Sequence, residues 1–123
     1  MQNFNYSKGN KSPKVLMDAE KGQIEFKGSS IMENSRSYYE PIFKWINEYV
    51  QMPKDTLVHF DFDYFNSSSA KAILTVFKSL VPIKDAGCLL KVEWCYSKDD
   101  DDMKESGMNF ASVIEAEFKF IEK

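Results

Sequence analysis

The chain has 123 residues, room for one domain and little more. An apolar fraction of 43% beside 28% charged residues describes a soluble globular protein with its own core, neither disordered nor dependent on staples. A formal net charge of −3 leaves no global field to recruit nucleic acid, and no apolar run approaches the roughly 20 residues of a membrane helix.

Residues 1–12 are polar, rich in Asn, Ser, Lys and Gly, and lack the apolar stretch of a secretory signal. They predict a flexible N-terminal arm, with residues 13–123 forming a single domain. Lys14 to Asp18 and Gln23 to Lys27 read as short strands around the turn Ala19-Glu20-Lys21-Gly22, where Gly22 can take a positive φ. A helix follows, capped by Asn34 or Ser35, with Tyr38, Ile42, Trp45, Ile46, Tyr49 and Val50 on one apolar stripe. Pro41 inside this pattern predicts a kink or the start of the regular part.

Thr56 to Phe65 alternates as a strand, with Val58, Phe60, Phe62 and Tyr64 on one face and His59, Asp61 and Asp63 on the other. Ser67 to Val81 predicts a second helix that buries Ala70, Ile73, Leu74, Phe77, Leu80 and Val81 and stops at Pro82. Cys88 to Tyr96 reads as a strand. Its two cysteines fall on opposite faces at odd spacing, so a bridge between them is implausible. Free thiols predict a reducing compartment and a cytoplasmic protein. Asp99 to Asp102 opens a short helix that Gly107 ends, and Ile114 to Phe120 alternates as the last strand.

The predicted fold is therefore α/β, a mixed sheet of about five strands in the order β-β-α-β-α-β-α-β. Several strands carry one apolar and one charged face, which places the helices mainly on one side and leaves the other side partly wet. Such a wet face is either solvated or a docking surface.

Three constellations bear on chemistry. The first is Tyr64-Phe65-Asn66-Ser67-Ser68-Ser69-Ala70-Lys71, at the passage from strand to helix. One capping residue would suffice there, yet four small polar residues stand together. Helix capping is the plain reading. A phosphorylated hydroxyl is the other, because first-turn N–H groups are unpaired and the helix dipole favours negative charge. The second is His59-Phe60-Asp61-Phe62-Asp63. It reads as the polar side of a half-wet strand, as a divalent-metal set, or as the Asp pair of a small phosphotransferase using Asp61 or Asp63. The third, Asp99 to Asp102, lacks the spacing of a calcium loop and suits a helix's first turn. A lone histidine and the absence of a Gly-rich cradle leave little room for other catalytic sites.

Five blocks recur in one known pattern. They are Gly28 to Ser35, Trp45 to Tyr49, Tyr64 to Lys71, Trp94-Cys95-Tyr96 and Asp102-Met103-Lys104-Glu105-Ser106-Gly107. Together they resemble the SiaC family of bacterial regulatory phosphoproteins, from about Pro13 to Phe120. The resemblance implies a single STAS-like domain and a non-catalytic role in a partner-switching module. A kinase phosphorylates a hydroxyl just after the motif's Asn, and a phosphatase of the protein phosphatase 2C type removes the phosphate. The unphosphorylated form binds and activates a diguanylate cyclase, raising cyclic di-GMP. Carried onto this chain, the acceptor is Ser67, where the family pattern has Thr, with Ser68 and Ser69 as neighbours. The resemblance also puts Glu33, Asn34, Ser35, Tyr64, Asn66 and Lys71 in the switch or partner-binding surface. It implies no cofactor, metal, small-molecule substrate, nucleic acid or membrane. A STAS-type anti-sigma factor antagonist is the alternative it leaves open.

Overall fold

The structure, a computed structural model, describes residues 1–123. In chain order the elements are β1 (Phe4–Tyr6), β2 (Lys14–Asp18), β3 (Gln23–Ser30), α1 (Ser35–Tyr49), β4 (Thr56–Phe65), α2 (Ser67–Asp85), β5 (Leu90–Tyr96), α3 (Asp101–Ile114) and β6 (Glu117–Glu122). The six strands form one sheet in sequential order. The pairs β1–β2 and β2–β3 are antiparallel, and β3 to β6 run parallel. Three successive βαβ steps run in one direction, and the right-handed rule for such crossovers puts all three helices on the same face of the sheet. The predicted mixed α/β fold with helices on one side is thus observed, with one strand more than expected.

That extra strand comes from the segment read as an arm. Phe4 and Tyr6 alternate within it, and their rings pack at 4.6 Å, with Tyr6 also 4.7 Å from Tyr38. The Trp45 indole N–H donates to the Gln2 carbonyl at 2.8 Å, which ties the segment to α1. Two aromatics at strand spacing inside a polar stretch were the legible sign of this edge strand.

The covered face of the sheet and the inner faces of the helices share one core. Val58, Phe60 and Phe62 of β4 lie at its centre, beside Phe26 of β3 and Val92 and Trp94 of β5. The hairpin turn works as read. Gly22 has φ +66°, and a Cβ there would come within 2.3 Å of the Asp55 carbonyl oxygen.

The helices are longer than their proline and glycine signals suggest. Pro41 lies within α1 and Pro82 within α2. Both are exposed, so the carbonyls they leave unpaired four residues back, on exposed Ser37 and Lys78, turn to water. The α2 stripe is rotated from the predicted one. Ser69, Ala72, Ile73, Val76, Phe77, Leu80 and Ile83 are buried, while Ala70, Leu74 and Val81 are half-buried at its edges. In α1 the buried tyrosine at the N-terminal end is Tyr39, and Tyr38 is half-buried. Cys88 precedes β5, and Ile114 ends α3 and leaves the last strand to begin at Glu117.

Gly107 does not end α3; it lies in the middle of that helix. A Cβ there would stand 2.5 Å from the Trp94 ring, so the glycine lets α3 lie directly on the indole. The ring cannot easily retreat. Its N–H donates to the Met103 carbonyl at 2.9 Å, and Phe60 and Phe77 flank it. Gly107→Ala gains up to about 1 kcal/mol of helix propensity but overpacks this contact by about 1–3 kcal/mol. The expected outcome is a net loss in urea unfolding. A higher midpoint would mean that α3 moves away from Trp94 at little cost.

Candidate functional site

The end of β4 is built around a bulge. Gly28 pairs with Phe62 but Ser29 pairs with Tyr64, which makes Asp63 the extra residue. The side-chain alternation therefore flips. Tyr64 was expected on the apolar face beside Phe62, but it is 59% exposed. Phe65 turns inward instead, with its ring near Phe62, Trp94 and Phe110. One inserted residue thus places an exposed tyrosine immediately before the serine run.

Asn66 caps α2. Its side-chain oxygen accepts from the Ser69 N–H at 2.9 Å, and its amide donates to the Met32 carbonyl at 2.9 Å. The Asn66 N–H donates to the Ser30 carbonyl at 3.1 Å. This one residue pins the α2 start to the chain leaving β3. Asn66→Ala should cost about 1 kcal/mol of stability, as cap removals do. Urea unfolding checks it, and an unchanged midpoint would mean that the cap carries no weight.

The three serines that follow have different environments. Ser69 is fully buried, and its hydroxyl accepts from Ser30 Oγ at 2.7 Å and bonds Ser35 Oγ at 3.0 Å. Ser68 is half-buried; it donates to Ser35 Oγ at 3.1 Å and accepts from the Ser35 N–H at 3.2 Å. Ser67 is exposed and makes no side-chain hydrogen bond. The buried chain continues from Ser30 Oγ to the Tyr39 hydroxyl at 2.9 Å. Since Ser30 donates to Ser69, Tyr39 donates to Ser30. Burial pushes the Tyr39 phenol up to about 12. Burial, with Tyr39 and Tyr6 nearby, likewise raises Tyr38.

Ser35 therefore belongs to the same cluster as Ser68 and Ser69, although it lies on α1. Asn34 caps α1 by accepting from the Arg36 N–H at 3.2 Å, and Glu33 and Asn34 are exposed on the loop that leads into it. Lys71 is exposed one turn after Ser67. It lines an open groove of about 580 Å³ between α1 and α2, together with Asn34, Arg36, Glu40 and Ser68. The site residues named from sequence thus converge on one corner, where β3 ends and α1 and α2 begin. Sequence reasoning missed Ser30, Tyr39 and Arg36. Ser30 was detectable as the last inward position of β3, while the other two depend on how α1 turns.

The second constellation lies on the open face of the sheet. His59 Nδ1 is 3.0 Å from Glu93 Oε1, and its Nε2 is 3.7 Å from Cys95 Sγ. Lys123 donates to Asp61 at 2.6 Å and is 3.6 Å from Asp63. Burial works against the charged Lys123 amine, but the Asp61 hydrogen bond and charge outweigh it and hold its pKa above the ordinary lysine range. Burial, with Asp61 next in effect, raises the Cys95 thiol. Asp63, at the bulge, is apart from the cluster of metal-compatible groups, which consists of His59, Asp61 and Cys95.

The family described as "SiaC family regulatory phosphoprotein" matches residues 6–123. The chain belongs to this SiaC family. Its fold is similar to solved structures from Pseudomonas aeruginosa. The crystal structure of apo-SiaC is 20% identical with a TM-score of 0.88, and the match covers 98% of this chain and 99% of that one. A second SiaC structure is 19% identical with a TM-score of 0.84, covering 100% of this chain and 98% of that one. A chain in the crystal structure of diguanylate cyclase SiaD in complex with its activator SiaC is 20% identical with a TM-score of 0.84, covering 94% and 96%. No curated protein matches the chain. No helix of this protein is long and apolar enough to cross a membrane.

Proposed function

We propose that this protein is a cytoplasmic, non-catalytic switch whose state is set by phosphorylation of Ser67. A cognate kinase adds the phosphate, and a phosphatase of the protein phosphatase 2C type removes it. The unmodified form binds and activates a diguanylate cyclase. Membership of a family of regulatory phosphoproteins supports this reading, as does the similar fold of a cyclase activator. The observation that carries it is the contrast among three adjacent serines. Ser68 and Ser69 are held in hydrogen bonds, while the Ser67 hydroxyl is exposed and uncommitted.

Position makes Ser67 chemically apt. It is the first residue of α2, beside unpaired N–H groups and the positive end of the helix dipole. A phosphoryl group there adds about −1.5 to −2 charges and three acceptor oxygens. Lys71 lies at i+4 on the same helix face, within reach of an ion pair. The phosphate is therefore tolerated without refolding, while Tyr64, Asn34 and the groove around Arg36 and Lys71 acquire a different electrostatic character. Modification of Ser68 or Ser69 would instead break the hydroxyl chain that joins α1 to α2.

Phosphosite mapping of the protein purified from its native cell tests the reading. The expected result is phosphate on Ser67 alone, abolished in Ser67→Ala. Phosphate on Ser68 or Ser69, or none under any growth condition, would overturn it.

A further inference from the structure

The open face of the sheet holds a group of side chains that the switch does not use. His59 and Asp61 follow each other at two-residue spacing on β4, and register sets Glu93 opposite His59 and Cys95 opposite Asp61 on β5. All four project from the face away from the helices. We infer that His59, Asp61 and Cys95 form a binding site for a zinc-class divalent transition metal.

Three features support this assignment. The first is donor chemistry. One imidazole nitrogen, one sulfur and one carboxylate oxygen lie within 4.8 Å of one another. An N, S, O set suits a borderline ion such as zinc and does not suit magnesium or calcium, which prefer oxygen throughout. The second is spacing. Zinc bond lengths and tetrahedral angles require about 3.6 Å between a ligating nitrogen and sulfur. His59 Nε2 and Cys95 Sγ are already 3.7 Å apart. The third is orientation. Glu93 accepts from His59 Nδ1 at 3.0 Å, which fixes the tautomer that leaves Nε2 free as a ligand. This carboxylate–histidine pairing is the usual support of a zinc-bound imidazole, and here it aims Nε2 at the sulfur.

Binding is a simple exchange. The Cys95 thiol gives its proton to solvent as the metal–sulfur bond forms. Lys123 leaves Asp61 for Asp63, from which it is 3.6 Å away. Water fills the fourth position. Lys123 is thus a built-in competitor for the metal.

The test uses the purified full chain with Zn²⁺ in competition against a chelating dye, and Co²⁺ as an optical probe. The expected result is one ion per chain and a thiolate-to-cobalt charge-transfer band. That band should vanish in Cys95→Ser and persist in Cys88→Ser. Glu93→Gln should weaken binding by about 10–100-fold, as loss of an orienting carboxylate does. Lys123→Met should tighten binding, an effect no purely structural role of the cluster predicts. If Cys95→Ser does not fold, His59→Gln, which replaces a half-exposed ligand, must lose the metal instead. Absence of the band in wild type, its persistence without His59, or weaker binding in Lys123→Met would each overturn the assignment.

Discussion

Phe60→Ala is expected to lower the free energy of unfolding by about 3–5 kcal/mol, the range for deleting a buried aromatic ring. Phe60 is 1% exposed at the middle of the central strand β4. Its ring stacks on Phe26 at 4.7 Å and lies 4.8 Å from Phe77 and 5.7 Å from Trp94. It therefore joins the neighbouring strands on both sides to α2. Rigid aromatic rings surround the site and cannot collapse well into the space, which puts the loss toward the upper end of that range. Domains of this size are stabilised by only about 5–15 kcal/mol, so the variant should be near the threshold of folding. Urea unfolding measures the loss. A change below that for trimming one methyl group would mean that the aromatic cluster repacks freely.

Phosphorylation of Ser67 is expected to weaken binding of the effector by about 100-fold or more, equivalent to about 2.7 kcal/mol. The effect requires no change of fold, because the hydroxyl is exposed and outside the network that secures the α2 start. A dianion buried against an apolar or acidic partner patch loses its hydration without recompense, and that cost alone reaches several kcal/mol. Ser67→Ala should retain binding and escape control. Ser67→Asp should weaken binding less than phosphate does, since it carries one charge and a different geometry. Titration of the effector with wild type and both variants checks the order. Equal affinity for the phosphorylated and unmodified forms would remove the switch.

Much of this architecture is legible in the sequence because burial on one side of a sheet leaves a period-2 trace. Thr56 to Phe65 is a strand from its alternation, and the helix starts follow from Asn34 and Asn66. What the pattern hides are features set by tertiary contact. Gly107 reads as a helix end, yet it is a contact point whose partner, Trp94, is on another strand. Pro82 reads as a stop, yet the carbonyl its missing N–H leaves unpaired is that of exposed Lys78, and the helix continues. Tyr64 reads as core, because a bulge at Asp63 cannot be seen in alternation that continues unbroken through it. The same holds for the candidate site. The serine run and its asparagine are visible as a block, but which serine is free depends on Ser30 and Ser35, supplied by β3 and α1. Pairing of His59 with Cys95 likewise depends on the β4–β5 register.

The measurement closest to the central claim is cyclase activity in a reconstituted mixture of this protein with the diguanylate cyclase proposed as its partner. The unmodified protein and a preparation phosphorylated on Ser67 are compared at equal concentration, with cyclic di-GMP formation as the readout. The switch account predicts that the unmodified protein binds and stimulates the cyclase, that the phosphorylated preparation does neither, and that phosphatase treatment restores both. Equal stimulation by the two preparations, or stimulation by the phosphorylated one alone, would contradict it.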